Sequence, residues 1–220
     1  MQPVGNVVVK SLFIAVALAL AAFSALIFEA ASSTALALND IDAAQASQAP
    51  NVRAMLLDRA AETLLQSWAE PTRWHAGATE ALSAAYFLEG RANHDPALLA
   101  ASARYAEITV RLGPVSPHAW VRLAALAELG APNSLCSLRD CLAMSWRVAR
   151  MIDPDTGCER LGLAWRHNLL TPNDRRIDDY LQSKPARDEA IRCLAFLPAG
   201  ELFARVLDAN LPGSAPGARR

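Results

Sequence analysis

The side chains of this sequence with the widest range of chemistry are its cysteines and histidines. Thiols can pair as disulfides, bind zinc, or act as nucleophiles beside a histidine, and each chemistry requires its own spacing of residues. The residues concerned are Cys136, Cys141, Cys158, Cys193, His75, His94, His118 and His167. Their positions along the chain decide which of these chemistries the sequence can support.

These positions indicate neither a zinc site nor a catalytic centre. Structural zinc sites use closely spaced cysteine pairs, whereas Cys136 and Cys141 have a C-x4-C spacing and Cys158 lies nine residues from His167. None of the histidines sits in an HExxH motif or in a pattern with a nucleophilic serine or cysteine. The ten glycines are scattered singly, so neither GxGxxG nor a P-loop occurs. We therefore predict a non-catalytic protein that needs no metal and no cofactor.

An uncharged apolar stretch at residues 11–28 has the length of a membrane-spanning helix. At about 1.5 Å per residue it spans about 27 Å, close to a hydrocarbon core of about 30 Å. Lys10 precedes it and Glu29 follows, which places the N-terminal flank in the cytoplasm and the rest of the chain outside. We expect an uncleaved anchor over residues 1–30 in an inner (cytoplasmic) membrane. The alternative is a signal peptide cleaved near Ala35-Leu36-Ala37, which would release a periplasmic or secreted protein.

The regions that flank the main body differ from it in composition. Residues 31–50 are rich in Ala, Ser, Gln and Asp and lack aromatic residues, so we interpret them as a linker between membrane and body. The C-terminal residues 211–220 include Pro and Gly that cannot sustain a helix, which predicts a disordered tail. The expected organisation is an anchor, a linker, one helical domain over residues 51–210, and the tail.

Residues 51–210 carry repeated helix start and stop signals. Asp95-Pro96 and Ser116-Pro117 each combine an N-cap residue with proline at the first helical position, and Gly113-Pro114 ends the helix between them. Period-two runs of β-branched residues are absent, so a sheet is not expected. Apolar residues follow Asp95-Pro96 at spacings of three and four, at Leu98, Ala101, Tyr105, Ile108 and Leu112. The sequence therefore predicts an all-α fold of antiparallel helices joined by short turns.

The even number of cysteines makes disulfides plausible for a domain outside the cytoplasm. Cys136 and Cys141 fall on one predicted helix with an apolar stripe that runs from Leu135 to Trp146, so their side chains should project on different faces and not pair with each other. A bridge from either one to Cys158 would join two consecutive helices. Cys193 could reach one of the others only if the last helices fold back. The alternative is that all four are small buried apolar side chains.

The middle of the chain resembles the tetratricopeptide repeat. Pro71, Pro114 and Pro154 are 43 and 40 residues apart. Six residues after Pro114 the sequence reads W-x2-L-A from Trp120, and in that family a proline ends one unit and W-x2-L-[G/A] opens the next. The resemblance covers about residues 71–154. It implies antiparallel helix pairs stacked as a right-handed superhelix with a concave, peptide-binding face.

The chain departs from the repeat pattern at several points. Ala127 stands where a large aromatic residue is usual, the period exceeds the usual 34 residues, and the W-x2-L pattern does not recur after Pro154. An irregular helical bundle is therefore the alternative fold.

An adaptor function follows from this architecture. The formal net charge of −1 gives no field to attract nucleic acid. We expect a membrane-anchored helical-repeat protein that mediates protein–protein interaction at a bacterial-type cell envelope. The alternative is an accessory subunit of a larger membrane complex, for assembly, secretion or polysaccharide export, that makes its contacts through the transmembrane helix. Exposed Trp beside Arg is typical of binding hot spots, so the candidate partner-binding residues are Arg73, Trp74, His75, His118 and Arg122.

Overall fold

The computed structural model describes residues 4–67, 76–133 and 135–212, with side chains from residue 12 onward except that of Ser67. Within these ranges the chain forms ten α-helices and no β-strand, which confirms the all-α prediction. The helices are α1 Val4–Ala46, α2 Pro50–Ser67, α3 Ala76–Asn93, α4 Pro96–Leu112, α5 Pro117–Glu128, α6 Leu138–Val148, α7 Pro154–Arg166, α8 Arg175–Gln182, α9 Arg187–Cys193 and α10 Ala199–Asp208. Stacking of the helices in a tetratricopeptide-like superhelix stays a prediction.

The chain divides into two compact units, residues 1–98 and 99–220. This division differs from the single helical domain that the sequence predicts over residues 51–210. The first unit extends further toward the N-terminus because α2 and α3 pack against the C-terminal part of α1.

Residues 12–28 of α1 are apolar and exposed on every side. It is long and apolar enough to cross a membrane by length and composition, a property that an N-terminal signal sequence shares. Its exposed large apolar residues are Leu12, Phe13, Ile14, Val16, Leu18, Leu20, Phe23, Leu26, Ile27 and Phe28. An apolar surface of this extent is not stable in water and requires a lipid or protein environment.

The second half of α1 corrects the prediction of a linker over residues 31–50. The helix continues without a break to Ala46, and it packs closely against α2. The buried positions alternate at spacings of four and three: Ala30, Thr34, Ala37, Ile41 and Ala44. A seven-residue repeat of this kind keeps one face of a helix against its neighbour. The small side chains let the two backbones approach closely, and the composition alone concealed this periodicity.

The neighbouring helix α2 runs antiparallel to α1, because only residues 47–49 connect them. Arg59 on α2 forms a bidentate hydrogen bond with Asp40 on α1, which fixes the register of the two helices. The buried face of α2 is formed by Leu57, Ala60, Ala61 and Leu64. Helix α3 packs against both, which completes a three-helix unit.

The second unit is built from shorter helices with well-formed caps. Ser116, Ser137 and Asp153 accept hydrogen bonds from the first-turn N–H groups of α5, α6 and α7, as expected for N-cap residues. Helices α5 and α7 both start with proline, and the sequence predicted this start for α5. The core of the unit consists of fully buried aliphatic side chains that include Leu123, Leu126, Leu142, Leu161, Leu163, Ile177 and Leu194.

Candidate functional site

The candidate partner-binding residues fall on two parts of the chain. Arg73, Trp74 and His75 lie outside the described residues. His118 and Arg122 lie on α5, one helical turn apart, so their side chains share one side of that helix. Both are half-buried and both take part in interactions with other residues. The structure therefore locates part of the predicted site at α5.

His118 pairs with a carboxylate at the start of α7. Its Nε2 lies 2.6 Å from Oδ2 of Asp153, while Oδ1 of the same carboxylate caps α7 by accepting from the Thr156 N–H at 2.9 Å. Partial burial opposes ionisation of Asp153, but the hydrogen bonds to His118 and Thr156 outweigh it and lower the pKa of Asp153 to about 2. The carboxylate thus joins the N-terminus of α5 to that of α7.

A second ionic cluster joins the other ends of the same two helices. Glu128 at the end of α5 accepts two hydrogen bonds from Arg166, each 2.8 Å, and its Oε1 lies 3.1 Å from Nε2 of His167. The hydrogen bond from Arg166 lowers the pKa of Glu128, and His167 acts in the same direction against the effect of burial. The first cluster joins the N-termini of α5 and α7, and the second joins their C-termini. The two helices therefore run parallel. We call the surface formed by His118, Asp153, Glu128, Arg166 and His167 the α5–α7 face.

Sequence reasoning identified one residue of the first cluster as a site candidate and predicted neither of the two pairings. His118 was a candidate, whereas neither Asp153 nor Glu128 was identified as a site residue. The pairs lie 35 and 38 residues apart in sequence. Only the parallel alignment of α5 and α7 brings them together.

The cysteines form two pairs, Cys136–Cys141 and Cys158–Cys193, with Cα atoms 5.5 Å apart in each. The expectation that Cys136 and Cys141 do not pair is wrong, and Cys158 is bonded to Cys193 and not to either of them. Helix α6 begins only at Leu138, so Cys136 lies in the chain before the helix and can fold back over its first turn. Relative to the N-cap, the two cysteines occupy the positions where a pair of apolar residues often packs as a hydrophobic staple. The disulfide makes that contact covalent.

The other disulfide joins α7 to α9. Cys193 reaches Cys158 because the helices after α7 fold back, and α9 packs against α7. This disulfide therefore links the C-terminal helices of the second unit covalently to α7.

Arg160 of α7 is a buried cation that caps the end of α6. Its guanidinium donates to the backbone carbonyls of Ser145, Ala149 and Arg150 at 3.3, 2.8 and 2.8 Å. Only 3% of its surface is exposed, and this burial lowers the pKa of Arg160 to about 10. Its positive charge matches the negative end of the α6 dipole. Arg160 therefore has a structural role.

The first unit offers a different surface, an acidic groove between α2 and α3. Asp58 and Glu62 of α2 and Glu89 of α3 line a shallow depression of about 550 Å³, with Leu65 in its wall. Burial raises the pKa of Glu89, and the neighbouring carboxylate of Asp58 adds to the rise. The groove presents negative charge around an apolar wall.

The described residues hold no group of three or more His, Cys, Asp or Glu side chains able to bind a metal ion. Their ionic clusters link one helix to another. Comparison of the chain with protein-family models, curated proteins and solved structures finds no match.

Proposed function

We propose that this chain is a membrane-anchored, non-catalytic helical protein that binds protein partners at the cell envelope. The observation that carries the proposal is the continuity of α1. Within this one helix, exposed apolar residues from Leu12 to Phe28 are followed by residues that are buried in the first unit, from Ala30 to Ala44. The first unit is therefore a direct extension of the proposed membrane helix.

This continuity favours an uncleaved anchor over a signal peptide. Cleavage after Ala37 would remove Ala30, Thr34 and Ala37, all of which are buried in the first unit. Loss of buried side chains of this kind leaves the facing side of α2 open to water, at a cost that few small units can sustain. The first unit thus needs the segment that cleavage would remove.

Two further observations support an orientation with the body outside the cytoplasm. Lys10 precedes the apolar segment, and positive charge is retained on the cytoplasmic side. The second unit contains two disulfides, which persist in oxidising compartments outside the cytoplasm.

The α5–α7 face supports the partner-binding part of the proposal. Parallel first helices of consecutive pairs are a property of helical-repeat stacks, and α6 packs against both α5 and α7. Trp120 and Pro114, the residues of the repeat-like signature, are joined by a 2.8 Å hydrogen bond from the indole to the proline carbonyl. Arg122 adds a cation to this side of α5.

Two experiments test the proposal. The first measures membrane association after carbonate extraction together with the intact mass of the chain. Retention at the full 23.6 kDa is expected, whereas a soluble product shortened by about 37 residues would overturn the anchor.

The second experiment tests the partner-binding surface. Proteins that co-purify with the detergent-solubilised chain are compared between wild type, the double variant His118→Gln with Arg122→Glu, and the control Arg147→Glu on the exposed side of α6. Loss of a partner only in the double variant supports binding of that partner at the α5–α7 face. Retention in all three, with loss when residues 11–28 are replaced by an unrelated apolar helix, would favour a membrane-complex subunit instead.

A further inference from the structure

The hairpin of α1 and α2 determines how far each residue of α2 lies from the apolar segment. Beyond Phe28, α1 continues for eighteen residues to Ala46, which is about 27 Å of helix. The chain then turns over residues 47–49 and α2 runs back along α1. The turn is held by a 2.8 Å hydrogen bond from the Arg53 guanidinium to the Ser47 carbonyl. The C-terminal end of α2 therefore returns toward the apolar segment.

The ion pair between Asp40 and Arg59 gives the register of this return. Because the helices are antiparallel, the residue seven positions after Arg59 in α2 lies beside the residue seven positions before Asp40 in α1. Gln66 thus lies level with Ser33, five residues past Phe28, which is about 8 Å of helix. Asn51, at the start of α2, lies fifteen residues before Gln66 and so about 23 Å farther away.

We propose that the C-terminal turn of α2, at Leu65 and Gln66, lies against the lipid headgroups of the membrane that α1 spans. This inference rests on the proposed membrane anchor. The headgroup layer on each side of a bilayer is about 5 to 8 Å thick, which matches the level of Gln66. Leu65 is a large apolar side chain with 45% of its surface exposed in this turn, an exposure that suits the boundary between water and lipid.

The sequence that follows α2 is rich in tryptophan. Residues 68–75, which lie outside the described ranges, include two tryptophans and one arginine. Tryptophan is enriched at the level of the headgroups in membrane proteins.

Nitroxide probes on the full-length chain in phosphatidylcholine–phosphatidylglycerol vesicles test the inference. A ketone-bearing amino acid placed singly at Leu20, Gln66 or Asn51 carries the probe, so that the disulfide cysteines remain untouched. The measured quantities are the collision rates of each probe with oxygen, which concentrates in lipid, and with a neutral nickel chelate, which stays in water. Asn51 is the matched control, since it is exposed on the same helix.

The inference predicts a Leu20 probe in the hydrocarbon, an Asn51 probe in water, and a Gln66 probe with several-fold fewer nickel collisions than Asn51. Equal nickel accessibility at Gln66 and Asn51, with Leu20 in lipid, would overturn the headgroup contact and leave the anchor intact. A Leu20 probe as accessible to nickel as Asn51 would overturn the anchor and the contact together.

Discussion

Removal of each disulfide in turn tests whether the two bridges stabilise the second unit through chain connectivity. One variant carries Cys158→Ala with Cys193→Ala, and the other carries Cys136→Ala with Cys141→Ala, so neither gains an unpaired thiol. The first bridge joins residues 35 positions apart and the second joins residues five apart. A bridge that closes a longer loop removes more conformations from the unfolded chain, so its loss should lower the free energy of unfolding by more.

The chain-entropy relation gives the size of each effect. A closed loop of about 36 residues corresponds to about 4 kcal/mol at 25 °C, and one of about six residues to about 2 kcal/mol. Cys141 is fully buried, whereas Cys158 and Cys193 are half-buried. The Cys141→Ala substitution therefore also removes packing in the short-loop variant. This loss reduces the difference of about 2 kcal/mol that loop closure predicts between the two variants in their free energy of unfolding.

Urea unfolding of the full-length chain in a mild non-ionic detergent measures both free energies, followed by tryptophan fluorescence. Wild-type protein under reducing conditions is the control, and it should be no more stable than the less stable variant. If both variants lose the same free energy, or if the short-loop variant loses more, loop closure does not govern the stability of this unit. Packing around Cys141 would then be the dominant contribution.

The remaining predictions concern a buried cation, a helix cap and the packed half of α1. Arg160→Met removes the donor to three backbone carbonyls and should cost about 3 kcal/mol in the same urea assay; a loss below about 1 kcal/mol would contradict the capping role. The pKa of Asp153 is about 2, below its ordinary value of 3.8, so its stabilising contribution is complete above about pH 4 and is lost as the pH falls toward 2. The urea midpoint should therefore fall less between pH 5 and 2 for Asp153→Asn than for wild type, and identical slopes would refute this. Ala37→Glu places a charge in the buried face of α1 and should make the first unit sensitive to protease, whereas Ala35→Glu on the exposed side should change stability by less than about 0.5 kcal/mol; equal protease sensitivity would refute the packing of α1 on α2.

Local signals predicted the helices of the second unit well. Asp95-Pro96 and Ser116-Pro117 start helices as expected, because an N-cap oxygen and a proline ring act within a single turn of chain. The apolar segment at residues 11–28 is equally local, since its length and lack of charge are visible without any neighbour. Features that depend on only a few consecutive residues can be predicted from the sequence.

The errors concern a helix-packing face and the exact start of a helix. Residues 31–46 looked like a linker because alanine, serine and threonine give a weak hydrophobic signal, although the buried positions repeat at spacings of four and three. That repeat was the available signal, and a search for it would have extended the helix. The pairing of Cys136 with Cys141 was missed because it depends on where α6 starts, and helix ends are set within one or two residues by cap geometry.

The candidate site likewise combines residues that the sequence indicated with contacts that it did not. His118 and Arg122 were identified from the sequence, whereas no pattern indicated that Asp153 and Glu128 would meet His118 and Arg166. The charge on each of these residues is a property of the sequence, but the partner of each depends on the parallel alignment of α5 and α7.

The sequence alone determined that this chain is helical, that one segment is apolar enough for a membrane, and where several helices begin. The tertiary structure decided that the apolar helix continues into the core of the first unit, which cysteines pair, and which charges face each other. The physical reason is the range of the interactions. Caps, prolines and hydrophobic length act over a few residues, whereas ion pairs, disulfides and helix packing join residues that only the folded chain brings within a few ångströms.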